Sequence, residues 1–479
     1  MACPRSASLP EQYGPAMAQL HDLTALEQGA AVRSGETCAA ELVEHYAERI
    51  GRLDAQVGAF VTLTLAAARA QAAAPLPAGP LAGVPIGIKD LNLTEGVLTQ
   101  LGSRAYAGYV PQVSDHVVTK LRDAGTISLG KTSTPEIGLP CYTETDIGPP
   151  ARNPWDLSLS AGGSSGGAGA AVAAGLLPFA QGSDGGGSLR IPGSVNGLVG
   201  LKVARGRISS GPVLGDLTGL SWNGPLARTV RDTAALLDVM AGPMPGDPHW
   251  APPPAQSFLS ACERPPGRLR VARTCDTAQG DIPVHPHVVQ AYDAAAALLA
   301  SLGPEVEDVA LPYGPELVPS FEVLWAVSAA GAPVAPESEH LLRPLTRWLR
   351  ERGRAALATE FSGAVATLQS ATRRGLTALA AYDVLLMPTL AQPPAPVGWF
   401  DESGDPAQEF ERMKRWTPFT AIFNMTGQPA VSLPLHTSPA GLPIGVMLVG
   451  RPADEVTLLS LSAQVEAAQP WADRHPALW

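Results

Sequence analysis

The sequence predicts an α/β layered fold, and three observations carry that expectation. Short apolar strands alternate with helical patterns through much of the chain. Residues 269–311 read as one strand–helix–strand unit: strand Leu269 to Arg273, helix Val288 to Leu302, strand Val306 to Leu311. A hydrophobic share of 45% against 16% charged side chains, over 479 residues, suits a large packed core rather than a disordered chain.

Residues 15–75 read as helices. The run after Ser34-Gly35-Glu36-Thr37 sets Leu42, Tyr46 and Ile50 on one face and charges on the other. A second, alanine-rich helix is expected over Thr62 to Ala74, and Pro75 to Pro80 reads as a linker. AGVPIGIKDLNL, residues 82–93, is a short apolar strand. Alternation puts Pro85, Gly87 and Lys89 on one face and Ile86, Ile88 and Asp90 on the other. Asp90 is therefore not the obvious partner of Lys89, and Gly87 leaves room beside the lysine. A lysine without a carboxylate in apolar surroundings has its pKa pushed down. The competing reading is a strand-end lysine that snorkels to water.

An amphipathic helix over Asp115 to Ala124 leads into a strand over Thr126 to Leu129. Gly125 to Thr132 spells G-x-x-x-x-G-K-T, a phosphate-loop pattern. That loop needs a strand before it and a helix after it, and here the order is reversed. Ser128 and Lys131 also have β-lactamase-like spacing, but no S-D-N or K-T-G follows.

The chemistry concentrates in Ser160 to Pro192, SAGGSSGGAGAAVAAGLLPFAQGSDGGGSLRIP. It holds two serine-bearing turns, Gly162 to Gly167 and Asp184 to Ser188. A small-residue helix (Ala168 to Ala174, stopped by Gly175) and an apolar strand (Leu176 to Ala180) lie between them. So many glycines are tolerated only where the backbone bends tightly or comes close to something. A glycine run ending in serine offers free backbone N–H groups beside a hydroxyl, the arrangement acyl transfer needs.

Beyond that stretch, Gly197 to Val203 and Arg207 to Ser209 read as strand and turn, and Thr229 caps a helix running to Met240. Residues 243–268 form a proline-rich connector, and residues 313–381 a mostly helical segment read as a substrate-side cap. Residues 382–479 return to the core with a strand at Tyr382 to Met387 and a loop at Pro393 to Asp405. A helix over Phe410 to Phe423, paired strands at Ala430 to Leu435 and Gly445 to Val449, and a closing helix at Glu455 to Ala468 follow.

The net charge of −11 leaves no basic field for nucleic acid. Lysine is scarce: Lys89, Lys120, Lys131, Lys202 and Lys414 are all there are among 33 basic side chains. Cys3, Cys38, Cys141, Cys262 and Cys275 are scattered with no C-x-x-C, so neither disulfides nor a zinc site is expected. The amino-terminal stretch lacks the apolar core of a secretory signal, and no apolar run is long enough to span a bilayer. The expected location is the cytoplasm.

The motifs GVPIGIKD, GKTSTPE, AGGSSGG, GSDGGGSLRIP, GLVGLK and GPLARTVRD, with the later DVLLMPT, NMTGQPAVSLPL and GLPIGVMLVG, resemble the amidase signature family over nearly the whole chain. Residues 130–155 look nearest the branch that includes 6-aminohexanoate cyclic-dimer hydrolases. The resemblance implies one domain over 1–479, with residues 82–242 as the catalytic core region. It also implies a central mixed, mostly parallel, twisted sheet between helical layers. Ser188 matches the nucleophile, Ser164 the bridging serine on a cis peptide bond, and Lys89 the catalytic lysine. The N–H groups of Gly185, Gly186, Gly187 and Ser188 match the oxyanion hole, and Ser165, Asp184 and Arg190 support the two turns. Position 185 departs from the family pattern, which usually carries Thr or a branched apolar residue, and the glycine is expected to loosen the turn. Val203-Ala204 stands where Pro-Thr commonly follows GLK.

The implied activity is hydrolysis of linear or cyclic carboxamides, without metal or cofactor, by a monomer or homodimer acting on a small molecule. An amidotransferase amidase subunit, hydrolysing glutamine with partner chains, would carry the same residues. An α/β-hydrolase would use Ser164 in a G-x-S-x-G elbow and need a later histidine, His436 or His475. The remaining alternatives are purely structural glycine turns and nucleotide binding at Gly125 to Thr132.

Overall fold

The computed structural model describes residues 19–213, 217–280 and 282–479. Strands β1 (Phe60–Leu63), β2 (Pro85–Lys89), β3 (Ile127–Thr132), β4 (Arg152–Asn153), β5 (Asp156–Ser160), β6 (Phe179–Asp184) and β7 (Val199–Lys202) form the first half. Strands β8 (Trp222–Ala227), β9 (Arg270–Arg273), β10 (Glu305–Asp308), β11 (Val384–Pro388), β12 (Ala430–Thr437) and β13 (Pro443–Gly450) form the second. Eleven of these make one sheet, in the order β1-β3-β2-β6-β8-β7-β12-β13-β11-β9-β10, and β4 pairs β5 separately.

The expected α/β architecture with a central mixed sheet and helices is present, but the sheet is not mostly parallel. The pairings β2–β3, β2–β6, β9–β10 and β9–β11 are parallel. The other pairings in that sheet are antiparallel: β1–β3 lies at one edge, and the rest run without a break through the centre from β6 to β11. The reason is β8, which the sequence reading lacks. It slips between β6 and β7 and runs against both. Its sequence, WNGPLA, carries Gly224 and Pro225, which read as punctuation. The glycine is needed because Leu201 O would lie 2.5 Å from a Cβ there.

Side-chain alternation builds the layers. Val384 and Leu386 of β11, with Val431 and Leu433 of β12 and Val446 and Leu448 of β13, bury against the helices Val230–Met240, Pro286–Ser301 and Glu455–Ala468. Leu385 and Met387, with Ala430, Met447 and Val449, face the opposite way. They join Leu317, Leu324, Leu368 and Phe423 from the helices Leu317–Gly331, Ala358–Ala378 and Ala421–Thr426. A third cluster packs the amphipathic helix Ala39–Val57 on the wholly buried helix Gly166–Ala173.

Other boundaries shift for local reasons. Residues 15–75 are not all helix: β1 occupies FVTL, and the alanine-rich helix starts at Leu65. The strand expected at Leu176 to Ala180 lies at Phe179–Asp184, so β6 runs straight into the second serine turn. The helix expected over Phe410 to Phe423 is two, Pro406–Trp416 and Ala421–Thr426, separated where Pro418 denies a helical N–H. The proline-rich connector contains one short helix, Phe258–Ala261. Three helices, Leu317–Gly331, Pro344–Ala355 and Ala358–Ala378, fill most of the segment read as the cap. Among the described residues no helix is long and apolar enough to cross a membrane.

Candidate active site

Lys89 ends β2 and is fully buried. Its backbone N–H donates to Gln181 Oε1 at 2.9 Å, which fixes the strand end against β6. Its Nζ lies 2.8 Å from Ser164 Oγ, 3.0 Å from Ser183 Oγ and 3.3 Å from Ser183 O. Asp90 turns away, as alternation requires, and sits 3.7 Å from Lys131 Nζ. Burial pushes the Lys89 ammonium down to about 7, with only the more distant Asp184 charge opposing it. Lys89 does not snorkel. The space at Gly87, however, is not for the lysine: a Cβ there would meet Leu177 Cδ1 at 2.6 Å and Thr132 Cγ2 at 2.7 Å.

Ser164 follows a cis peptide bond from Gly163. A Cβ at Gly163 would lie 2.6 Å from Tyr142 N, so the chain can approach that closely only as glycine. Ser165 joins the two serine turns. Its N–H donates to Ser188 O at 3.3 Å and its hydroxyl to Ser183 O at 3.0 Å. The Ser188 hydroxyl, 6% exposed, makes no hydrogen bond among the described residues, to Ser164 or otherwise. Catalytic pairs are commonly looser than hydrogen-bonding distance when no substrate is bound.

The second turn is held from below by Asp184. Its carboxylate accepts from Gly187 N at 2.8 Å and Leu189 N at 3.1 Å. It also forms a two-pronged pair with Arg190, Nε to Oδ2 at 3.0 Å and Nη2 to Oδ1 at 2.9 Å. Both side chains are fully buried. Burial disfavours the Asp184 charge, but Arg190, Asn424 and Lys202 outweigh it and hold the carboxyl well below the usual range. Gly187, at φ +135°, spends its N–H on Asp184 and so departs from its expected place among the oxyanion donors. No hydrogen bond takes the N–H groups of Gly185, Gly186 or Ser188 among the described residues.

Three supports escaped the sequence reading. Ser183 contacts the lysine although nothing in its type singles it out. Thr420 donates its hydroxyl to Gly186 O at 2.6 Å. Asn424 donates to Asp184 O and Oδ1, both at 2.9 Å, and accepts from Arg190 Nη2 at 2.6 Å. The NMTGQPAVSLPL motif that contains Asn424 was the one signal available.

Ser188 and Gly186 open on a cleft of about 720 Å³, solvent at its mouth included. One wall is Leu139 to Cys141, beside the Ser164 turn; another is Phe321 and Trp325 from the helix Leu317–Gly331. Lys414 also lines the cleft, but Glu322 at 2.5 Å and Glu411 hold its ammonium. Burial keeps the Cys141 thiol protonated by raising its pKa well above the usual value.

The rival sites are not assembled. β3 carries Gly130, Lys131 and Thr132 inside the sheet, and Lys131 Nζ donates to Asn92 O at 2.6 Å and Thr99 Oγ1 at 2.8 Å. Gly125 to Thr132 is therefore no phosphate loop. His436 lies on β12, and His475 stacks on Trp479 at 4.0 Å. Neither is a hydrogen-bond partner of Ser164, whose partner is Lys89. Among the described residues no group of three or more His, Cys, Asp or Glu is placed to hold a metal ion.

A buried lysine, two serine turns and an apolar cleft on a mixed α/β sheet describe a hydrolase of carbon–nitrogen bonds. The chain belongs to the amidase family, whose pattern matches residues 41–459. Within that family it is similar to the 6-aminohexanoate-cyclic-dimer hydrolase of Paenarthrobacter ureafaciens, 36% identical with 95% of this chain and 96% of the relative covered. It is also similar to the acylamidase of Rhodococcus erythropolis, 34% identical over 96% of this chain and 98% of the relative. The solved structure of a 6-aminohexanoate cyclic dimer hydrolase complexed with substrate superposes with a TM-score of 0.89 at 34% identity, covering 96% of this chain and 99% of that one.

Proposed function

We propose that this amidase cleaves linear or cyclic carboxamides through an acyl-enzyme on Ser188, with Ser164 and Lys89 relaying the proton. The observation that carries the reading is the Lys89 amine, fully buried without a contacting carboxylate and 2.8 Å from Ser164 Oγ. A neutral amine has two N–H donors and one lone pair. Ser183 O and Oγ take the donors, which leaves the lone pair facing the Ser164 hydroxyl.

In the first half-reaction Ser188 Oγ attacks the amide carbon. Its proton passes to Ser164 as the Ser164 proton passes to Lys89. The carbonyl oxygen takes the developing charge beside the N–H groups of Gly185, Gly186 and Ser188. The proton then returns through Ser164 to the leaving nitrogen, and the C–N bond breaks. In the second half-reaction water attacks the Ser188 ester and the relay runs again. A cyclic substrate keeps its freed amine tethered to the acyl group until this second step.

The similarity to cyclic-dimer hydrolases and acylamidases supports an uncharged amide substrate, and so does a cleft whose lysine is already paired. We place the three helices of residues 313–381 on the substrate side, since Phe321 and Trp325 line the cleft. We also infer a cytoplasmic monomer or homodimer that acts without nucleic acid or membrane, in keeping with the net charge of −11. The test is turnover by Ser188→Ala over a panel of amides: activity falls below detection, and a variant with wild-type rates contradicts the assignment.

A further inference from the structure

Position 185 poses a question of packing. Its φ lies outside the left-handed region, so the backbone there does not demand glycine. What crowds a side chain there is an indole. A Cβ on Gly185 would lie 3.2 Å from both Cη2 and Cζ3 of Trp325, and 3.5 Å from Ser221 Cβ. A branched residue would drive further atoms into the ring. Next along the turn, a Cβ on Gly186 would touch Phe321 Cζ at 3.5 Å. Phe321 and Trp325 stand one helical turn apart with rings stacked at 5.2 Å and 21°. The turn that the sequence alone marks as loosened is thus roofed by an aromatic pair from another element.

The geometry also divides the cleft. The leaving nitrogen must face Ser164, whose Oγ would lie 3.4 Å from a Cβ on Gly138, next to the Leu139 to Cys141 wall. The aromatic wall over Gly185 and Gly186 is left for the acyl portion.

We propose that Trp325, seated on Gly185, is the specificity-determining residue of the acyl pocket. It admits flat or unbranched acyl groups and rejects those branched next to the carbonyl. The pair works as a unit: the indole has its place because residue 185 has no side chain. This rests on Ser188 being the nucleophile.

The test uses alkyl fluorophosphonates, unbranched from methyl to octyl and one branched at the first carbon, on the full chain. Ser188 Oγ bonds to phosphorus, fluoride leaves, and the hydroxyl proton goes to the Ser164–Lys89 relay. The readout is the second-order labelling rate. Trp325→Ala raises the branched-to-methyl rate ratio about tenfold or more. Gly185→Thr slows the longer unbranched reagents about tenfold, and adding Trp325→Ala recovers much of that loss. Trp325→Phe and Gly185→Ala give the same signs more weakly and serve if the larger changes lose the fold by circular dichroism. An unchanged branched-to-methyl ratio in both Trp325 variants, or independent effects at 185 and 325, overturns the proposal while the Ser188 reading stands. A wild-type chain that no reagent labels at Ser188 overturns both.

Discussion

At the scale of single residues, the proposed relay rests on Lys89. A protonated lysine cannot accept the Ser164 proton, so acylation follows the neutral fraction. With the ammonium held down to about 7, kcat/KM falls about tenfold per pH unit well below that value and levels off above it. Lys89→Ala removes the pH dependence together with most of the rate, and a normal rate at pH 7 in that variant takes lysine out of the mechanism. The same burial has a stability consequence. The unfolded lysine, near 10.5, binds a proton that the folded one, near 7, releases, so this group's contribution to stability rises with pH across that window. Lys89→Met therefore raises the unfolding free energy measured by urea denaturation at pH 7 by on the order of a few kcal/mol, and by less at pH 9, while abolishing turnover. Lys89 and Ser164, which the structure brings to 2.8 Å, were legible in the sequence because each stands inside a dense motif. Ser183, a serine touching the lysine from a strand edge, was not, because its role depends on how β6 lies beside β2.

At the scale of elements, the second serine turn owes its shape to a helix more than two hundred residues away. Thr420 and Asn424, around the helix Ala421–Thr426, hold Gly186 O and Asp184. Thr420→Val removes the bond to Gly186 and leaves the cleft its size. It lowers kcat about 10- to 100-fold with little change in KM, because the donors shift relative to the developing oxyanion. An equal loss confined to KM would assign Thr420 to substrate binding instead. This link could not be read from sequence, because a helix expected over Phe410 to Phe423 places Thr420 mid-helix and hides the break at Pro418. The strand–helix–strand unit, by contrast, was legible, since Pro286 and Gly303 bound the long, alanine- and leucine-rich helix between β9 and β10, which pair in parallel. β8 failed for the opposite reason: its glycine and proline serve close packing inside the sheet while reading as a turn.

At the scale of the whole molecule, alternation of strands and helices gave the α/β class correctly, while the mostly parallel sheet implied by the resemblance is not found, since β8 and the β12–β13 hairpin reverse the direction at the centre. The buried Asp184–Arg190 pair ties that centre to the site, because Arg190 Nη1 also donates to Thr420 O at 2.7 Å. Arg190→Ala leaves a buried carboxylate without its cation and costs about 3–5 kcal/mol by chemical denaturation. A loss under about 1 kcal/mol would show that water or Lys202 replaces it. Because β3 buries Lys131 in the sheet, Mg-ATP leaves the melting temperature unchanged, and a ligand-dependent rise would restore a nucleotide site. The catalytic expectations all depend on Ser188 as the residue that is acylated. The most direct measurement is fluorophosphonate labelling of the intact chain followed by peptide mapping of the adduct. The account predicts one adduct, on Ser188, and an adduct on Ser164 would contradict it and return the search to a histidine-assisted nucleophile.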